Sequence, residues 1–479
     1  MLNNIQIRCS LATACVLAIA CTLVMGSAQA VATAGTVDKQ LLQRGAYLAT
    51  AGDCVACHSS KQGQPYAGGN PIESPLGTIW SSNITPSAAY GIGRYTEQQF
   101  ADALRRGIRA DGSHLYPAMP YTSYTLLSDA DIHALYAYFM HGVEPVEQAA
   151  PVTELPFPFN VRALMAGWNL LFNPNRRFQP PTGQSEQWLR GAYLTEALAH
   201  CSACHTPRNV FMAEDSSRSF AGASLGKWYA PNISSDLNAG IGGWTSGELI
   251  TYLRTGAAPG KALVAGPMAE AIDHSFSKMS EADLAAMALY IKSVPARSDT
   301  SQRQPAYVWG SPARDENSIR GDSAGQISGA TLYSGNCASC HQPSGSGTQL
   351  SGPPSLLHVS TVGRANPDSL IMTILHGVER NNNGQQRLMP AFFYELNDQE
   401  VALLATYVRR NFGNPESAEI SAQQVKVLRD KPAAVPILTA ARIVIALIVI
   451  GLLWLLGKAI LRRSGSSSRL ATARSRSEE

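Results

Sequence analysis

Outside its first 21 residues and three short motifs, this chain of 479 residues contains no cysteine. Once a leader peptide is removed, none is left over for a structural disulfide if the three motifs are chemically occupied. An excess of charge of either sign is also absent. The formal net charge is +3, but Arg8 lies in the leader region, and the segment from Arg442 onward holds 7 basic and 2 acidic residues. Residues 31–441 then carry 30 basic and 33 acidic residues, which gives no basic surface for nucleic acid. The composition lacks the bias of disordered chains. Length alone predicts about three domains at roughly 100–200 residues each.

Both ends are apolar. Residues 1–30 read as a signal peptide: Arg8 supplies the positive start, Leu11 to Val24 the apolar core, and Ser27-Ala28-Gln29-Ala30 an Ala-x-Ala cleavage site. Cys21, after Ala18-Ile19-Ala20, is a weaker lipoprotein pattern, and cleavage after Ala30 is the preferred reading. Near the other end, Ile443 to Gly457 is uncharged, and extension back to Ala433 adds only Arg442. That length predicts a transmembrane helix over 437–457. The basic residues of 458–479 would place the tail in the cytoplasm and the rest of the chain in the periplasm. The alternative is an amphipathic helix lying flat on the membrane.

The cysteines are what remains to explain. They form Cys54-Val55-Ala56-Cys57-His58, Cys201-Ser202-Ala203-Cys204-His205 and Cys337-Ala338-Ser339-Cys340-His341. CxxCH is the attachment signature of c-type haem, in which two thiols bond to the porphyrin edge and the histidine ligates iron. Three covalently bound haem c groups are therefore expected. A zinc site needs four ligands, and each motif offers three. A thioredoxin-like CxxC follows a strand, and no strand pattern precedes these.

The chain repeats around each motif. A helical Gly-containing stretch comes first: Arg44-Gly45-Ala46-Tyr47-Leu48, Arg190-Gly191-Ala192-Tyr193-Leu194 and Gly329-Ala330-Thr331-Leu332-Tyr333. A loop, a short helix ending in Gly, and a methionine beside proline follow, at Met119, Met268 and Met389. Each unit closes with a helix opened by a capping-box pair: Ser128 with Asp131, Ser280 with Asp283, Asn397 with Glu400. Tyr138, Tyr290 and Tyr407 recur in these helices. Units one and two also share Asn83-Ile84-Thr85 with Gly91-Ile92-Gly93, matched by Asn232-Ile233-Ser234 with Gly240-Ile241-Gly242. Unit three lacks this insert, so its His-to-Met span is 48 residues against 61 and 63. The predicted architecture is mainly α: three tandem class I cytochrome c domains at 36–148, 183–296 and 322–415, linkers at 149–182 and 297–321, and the transmembrane helix. The apolar stretch 161–180 belongs to no unit. It is read as a helix packed between units, with a partner or quinone contact as the alternative.

Histidine with methionine fills both axial positions of an iron, and the thioether raises its potential. Each methionine has rivals: Met140 in unit one, Met279 and Met287 in unit two. Core packing is the ordinary role of Met140 and Met287. His114, His274 and His376 would instead give bis-histidine sites, but they keep no fixed register. His133, His141, His200 and His358 are read as surface or hydrogen-bonding residues.

These motifs, with Asn83-Ile84-Thr85-Pro86, Gly91-Ile92-Gly93-Arg94-Tyr95-Thr96, Leu115-Tyr116-Pro117-Ala118-Met119-Pro120-Tyr121 and His205-Thr206-Pro207-Arg208-Asn209, resemble the triple-haem cytochrome c subunit of membrane-bound alcohol, aldehyde, gluconate and fructose dehydrogenases. The likeness runs from about residue 36 to 415. It implies His58/Met119, His205/Met268 and His341/Met389 as iron ligand pairs. It also implies a separate catalytic subunit carrying pyrroloquinoline quinone, flavin or molybdopterin, a small third subunit in some complexes, and ubiquinone as electron acceptor. The location implied is the inner membrane, with haem domains on the periplasmic side. The chain itself offers no residue that would bind the organic substrate. Two other functions are weighed: a subunit feeding a terminal oxidase, and a self-contained haem peroxidase, which would need one five-coordinate iron.

Overall fold

In a computed structural model of the chain, the described residues are 38–313, 327–348, 353–382, 385–430 and parts of 439–458. The expected signal peptide, with Cys9, Cys15 and Cys21, and most of the basic tail lie outside them.

The architecture is mainly helical and repeats three times. Each unit has an opening helix: Lys39–Ala51, then Glu186–Tyr193, then Gly329–Asn336. A short helix follows at the cysteines: Cys54–Cys57, Cys201–His205 and Ala338–His341, the last with Cys337 just before it. A middle helix follows at Glu97–Arg106, Ser246–Thr255 and Asp368–His376. The closing helix is Asp129–His141, Glu281–Ser293 and Asp398–Phe412. The described strands form only two-stranded antiparallel hairpins.

Opening and closing helices cross at a glycine. A Cβ on Gly45 would lie 2.1 Å from the Ala134 carbonyl oxygen, one on Gly191 1.9 Å from that of Ala286, and one on Gly329 2.5 Å from that of Leu403. The recurring Tyr138, Tyr290 and Tyr407 each put their own Cβ against the same glycine. The helices can touch backbone to backbone only where a side chain is missing.

From helix glycine to first cysteine there are nine residues in unit one, ten in unit two and eight in unit three. The extra residue of unit two is absorbed by a π-helical turn, Leu194–Leu198, that continues the opening helix. The shared Asn motif is a structural staple. Buried Asn83 accepts from the Thr85 amide and hydroxyl, and donates to the carbonyls of Val146 and Gln148 beyond the closing helix. Asn232 repeats this with Ser234 and the Arg297 carbonyl.

Two apolar cores are formed. One runs through units one and two, from Leu48, Phe100 and Phe139 to Leu194, Leu253, Leu284 and Met287. The other, around Tyr333, Ile371, Leu404 and Phe412, belongs to unit three, with Trp228 of unit two packed on it.

The apolar linker forms a helix, Leu164–Phe172. It bridges units one and two: the Tyr121 hydroxyl donates to Asn169 at 2.8 Å, and Trp168 Nε1 donates to the Phe211 carbonyl at 2.9 Å. Its outer face, Leu170 and Leu171, stays exposed.

The expected C-terminal transmembrane helix over 437–457 is not supported. Among the described residues no helix is long and apolar enough to cross a membrane. A span needs about 20 consecutive apolar helical residues, and no described helix meets that requirement.

Candidate functional site: three CxxCH cradles

Each CxxCH motif sits on a tight turn at the end of an opening helix. Asp53 and His200, the residues before the first cysteine, are both left-handed, with φ of 52° and 38°. This breaks the opening helix and restarts the chain as the short helix that presents both cysteines. All six described cysteines are free. Burial pushes the Cys54, Cys201 and Cys337 thiols up to about 12. A redox-active or thiolate-ligating pair needs the opposite shift. Among the described residues no group of three His, Cys, Asp or Glu is clustered to hold a metal ion.

The three motif histidines are held alike. Nδ1 of His58 lies 2.7 Å from the Ser82 carbonyl oxygen, that of His205 2.6 Å from Pro231, and that of His341 2.8 Å from Pro354. A carbonyl only accepts, so Nδ1 carries the proton and Nε2 is left with a lone pair for a metal. Burial lowers all three histidines below their usual pKa, and the carbonyl bond only partly opposes it. The rings are therefore neutral at pH 7, the form that ligates. The donor set fits haem c: paired neutral thiols on one turn, and a histidine oriented by its far nitrogen.

The methionines take different supports. Met119 follows a turn and its carbonyl accepts from the Tyr121 amide at 2.8 Å. Met268 is the second residue of the helix Pro267–His274. Met389 ends the strand Gln385–Met389, opposite Val378. All three are partly buried and packed on the cores. Of the rivals, Met279 and Met287 are buried in the core, and Met140 packs against it. His274 and His376 are exposed. The His114 ring meets Asn169 of the linker helix, and His133 meets Glu97.

Units one and two face each other across their motifs. The helix Pro267–His274 of unit two packs on the Cys54–Cys57 helix of unit one. Asp53 is partly buried at this junction, and desolvation, then Glu270, raises its carboxyl to about 8. The His200 ring packs edge-on against Tyr124, 5.6 Å between centroids.

The junction is closed by an exchange that the sequence reading missed. Arg44 and Arg190 pair within their own units with Asp131 and Asp283, at 2.7 and 2.8 Å. The Tyr193 hydroxyl of unit two donates to Asp131 at 2.5 Å and accepts from the Ser128 amide at 3.1 Å. The Tyr47 hydroxyl of unit one does the same for Asp283 (2.6 Å) and the Ser280 amide (3.2 Å). Half of each expected capping box forms: Ser128 and Ser280 accept from the amides of Asp131 and Asp283. The return bond passes through a tyrosine of the other unit. In unit three Asn397 and Glu400 form the ordinary box.

The cytochrome c family model matches residues 42–142 and 327–411, within the first and third units. Relatives match nearly the whole chain. The fructose dehydrogenase cytochrome subunit of Gluconobacter japonicus is 42% identical over 452 residues, covering 89% of this chain and 93% of that one. This chain belongs to the family of dehydrogenase cytochrome c subunits. The gluconate 2-dehydrogenase cytochrome c subunit of Pantoea cypripedii is 40% identical, covering 81% of this chain and 89% of that one. The quinone-type alcohol dehydrogenase cytochrome c subunit of Gluconacetobacter polyoxogenes is 37% identical, covering 85% and 88%. As a cytochrome c subunit the chain carries haem c, and three groups fit its three units. Its work is electron transfer in complex with a catalytic dehydrogenase.

Proposed function

We propose that this subunit takes electrons from a catalytic subunit oxidising an alcohol, aldehyde, sugar or sugar acid and delivers them to ubiquinone, on the periplasmic side of the inner membrane. The partner would hold pyrroloquinoline quinone, flavin or molybdopterin. Haem c supplies one-electron exchange at iron when bound. The chain fixes where that exchange occurs. The thiols of Cys54/Cys57, Cys201/Cys204 and Cys337/Cys340 would anchor the three porphyrins. His58, His205 and His341, with Nε2 free, and Met119, Met268 and Met389 would be the residues that ligate the iron. The observation carrying this reading is the same Nδ1-to-carbonyl bond in all three units. A peroxidase would need one unit built differently, and the three histidine settings are alike. Methionine with histidine as ligands would favour the reduced state of the iron.

Mass spectrometry of the processed chain should show three haem additions. In the purified complex, Met389→Leu should lower one midpoint potential and slow reduction of a ubiquinone analogue. An unchanged redox titration removes Met389 as a ligand. Co-purification with a terminal oxidase core in place of a dehydrogenase would overturn the acceptor.

A further inference from the structure

Among the described residues, a buried ion pair crosses between units two and three. Asp273 accepts from Arg380 Nε at 3.0 Å and from Nη2 at 2.5 Å, the two-pronged contact that a guanidinium makes with a carboxylate. The Arg380 side chain is 4% exposed and that of Asp273 18%. The third guanidinium nitrogen, Nη1, donates to the Thr255 carbonyl at 3.3 Å. The slot that receives it exists only beside a glycine. A Cβ on Gly256 would stand 2.4 Å from Nη1.

Both partners lie on the segments that carry the methionines. Asp273 is in the helix Pro267–His274, five residues after Met268. That helix is held by Ile272, which is fully buried, and by Gly266 at its start, whose missing Cβ leaves room for the Trp228 ring 2.7 Å away. Arg380 is in the strand Val378–Asn382, two residues from Val378, which pairs with Met389. The hairpin is pinned at that end by Gly377, where a Cβ would lie 2.3 Å from the Met389 carbonyl oxygen. A displacement at the ion pair therefore passes along a short rigid element to each methionine. Met119 is not joined to this ion pair: its turn leads into the short helix Tyr121–Tyr124, which packs instead on unit two, with Tyr124 edge-on to His200.

We propose that Asp273 and Arg380 are positioning residues that lock the methionine segments of units two and three to each other, so that the second and third iron potentials move together when the pair is cut, while the first, whose methionine is not joined to the pair, stays in place. This rests on Met268 and Met389 being ligands. The potential of such a site follows its axial ligand and that ligand's surroundings. Cutting the link should move two potentials together.

The test is redox titration of the full complex carrying Arg380→Lys, which keeps the charge but loses the fork, and Asp273→Asn, which keeps the shape. Haem content is checked first. Each variant should retain three haems, shift the second and third midpoint potentials, weaken the thioether-to-iron charge-transfer absorption, and leave the first potential in place. The double variant should shift them by less than the sum of the singles. Fully loaded variants in which no potential moves, or in which only one does, overturn the proposal. Met389→Leu separates the two readings. If it shifts a potential while Arg380→Lys does not, the joint setting fails and the ligand stands. If it shifts nothing, the ligand reading itself fails.

Discussion

Units one and two are joined as one body, whereas unit three is docked onto them. The first junction has a shared apolar core and a reciprocal exchange of tyrosines. The second keeps two cores, with Trp228 of unit two packed on that of unit three, and adds polar contacts: Arg380 to Asp273, the Ser369 hydroxyl with both backbone groups of Tyr229, and the Ser360 hydroxyl to the Lys261 carbonyl. Apolar burial is non-directional and grows with area, so a continuous core ties its elements into one cooperative unit. Directed polar contacts fix an orientation while leaving each side able to fold alone. The comparison predicts two calorimetric transitions, one for units one and two together and one for unit three. Gly191→Ala should sharpen it most. Its Cβ would meet the Ala286 carbonyl at 1.9 Å, an overpacking worth about 3 kcal/mol. It should lower the shared transition, while Gly329→Ala lowers the other. A single transition that both variants move would break the distinction.

Asp283→Asn comes next. Burial would raise this carboxyl, but the Arg190 and Tyr47 hydrogen bonds outweigh it and hold the pKa below 3.8. The variant leaves a guanidinium and a hydroxyl without their anion, for a loss of about 2 kcal/mol in the shared transition. The sign with pH follows from the depressed value. The stabilisation is complete above the unfolded carboxyl's 3.8 and is lost as pH falls through the lower folded pKa. Wild type should therefore lose more stability than Asp283→Asn on acidification below that value. Parallel pH profiles would remove Asp283 from the junction. Tyr47→Phe and Tyr193→Phe should each cost about 1 kcal/mol. Because the exchange is reciprocal the two losses should match, and a clear inequality would mean that only one half of it holds.

Much of this was legible in the residues. The three cysteine motifs, the helix glycines facing Tyr138, Tyr290 and Tyr407, and the closing-helix caps recur in register, because each is a local demand of one folding unit. The tyrosine exchange is a demand between units, and its signal was present but unread. Arg-Gly-Ala-Tyr occurs with an aspartate three residues into the closing helix in units one and two, whereas unit three has Thr331 and Glu400 at those places. A capping-box pattern does not say whether its acid turns back to its own cap or to an arginine and a borrowed hydroxyl. Arg380 gave no signal at all, since one arginine in a polar hairpin is ordinary until the slot beside Gly256 is seen. The C-terminal expectation was read from hydropathy alone, and no described helix is long and apolar enough to bear it out.

The linker helix Leu164–Phe172 gives the smallest expected effect and tests the comparison from outside. Its inner face is fastened to both units, through Asn169 to Tyr121 and the Arg106 carbonyl, and through Trp168 and Phe172 to Phe211. Its outer face is open, with Leu170 86% and Leu171 70% exposed. Side chains so placed make few contacts within the chain, so Leu170→Ser with Leu171→Ser should change stability by no more than about 0.5 kcal/mol. Asn169→Ala, on the inner face, should lower the shared transition and leave that of unit three alone. A serine pair that destabilises as much as Asn169→Ala would show that the outer leucines are packed against the chain, and the helix would then be part of the shared core instead of a brace laid across it. Unchanged folding together with weaker co-purification of the dehydrogenase would instead mark those two leucines as contact surface, the role that exposed adjacent apolar residues most often serve.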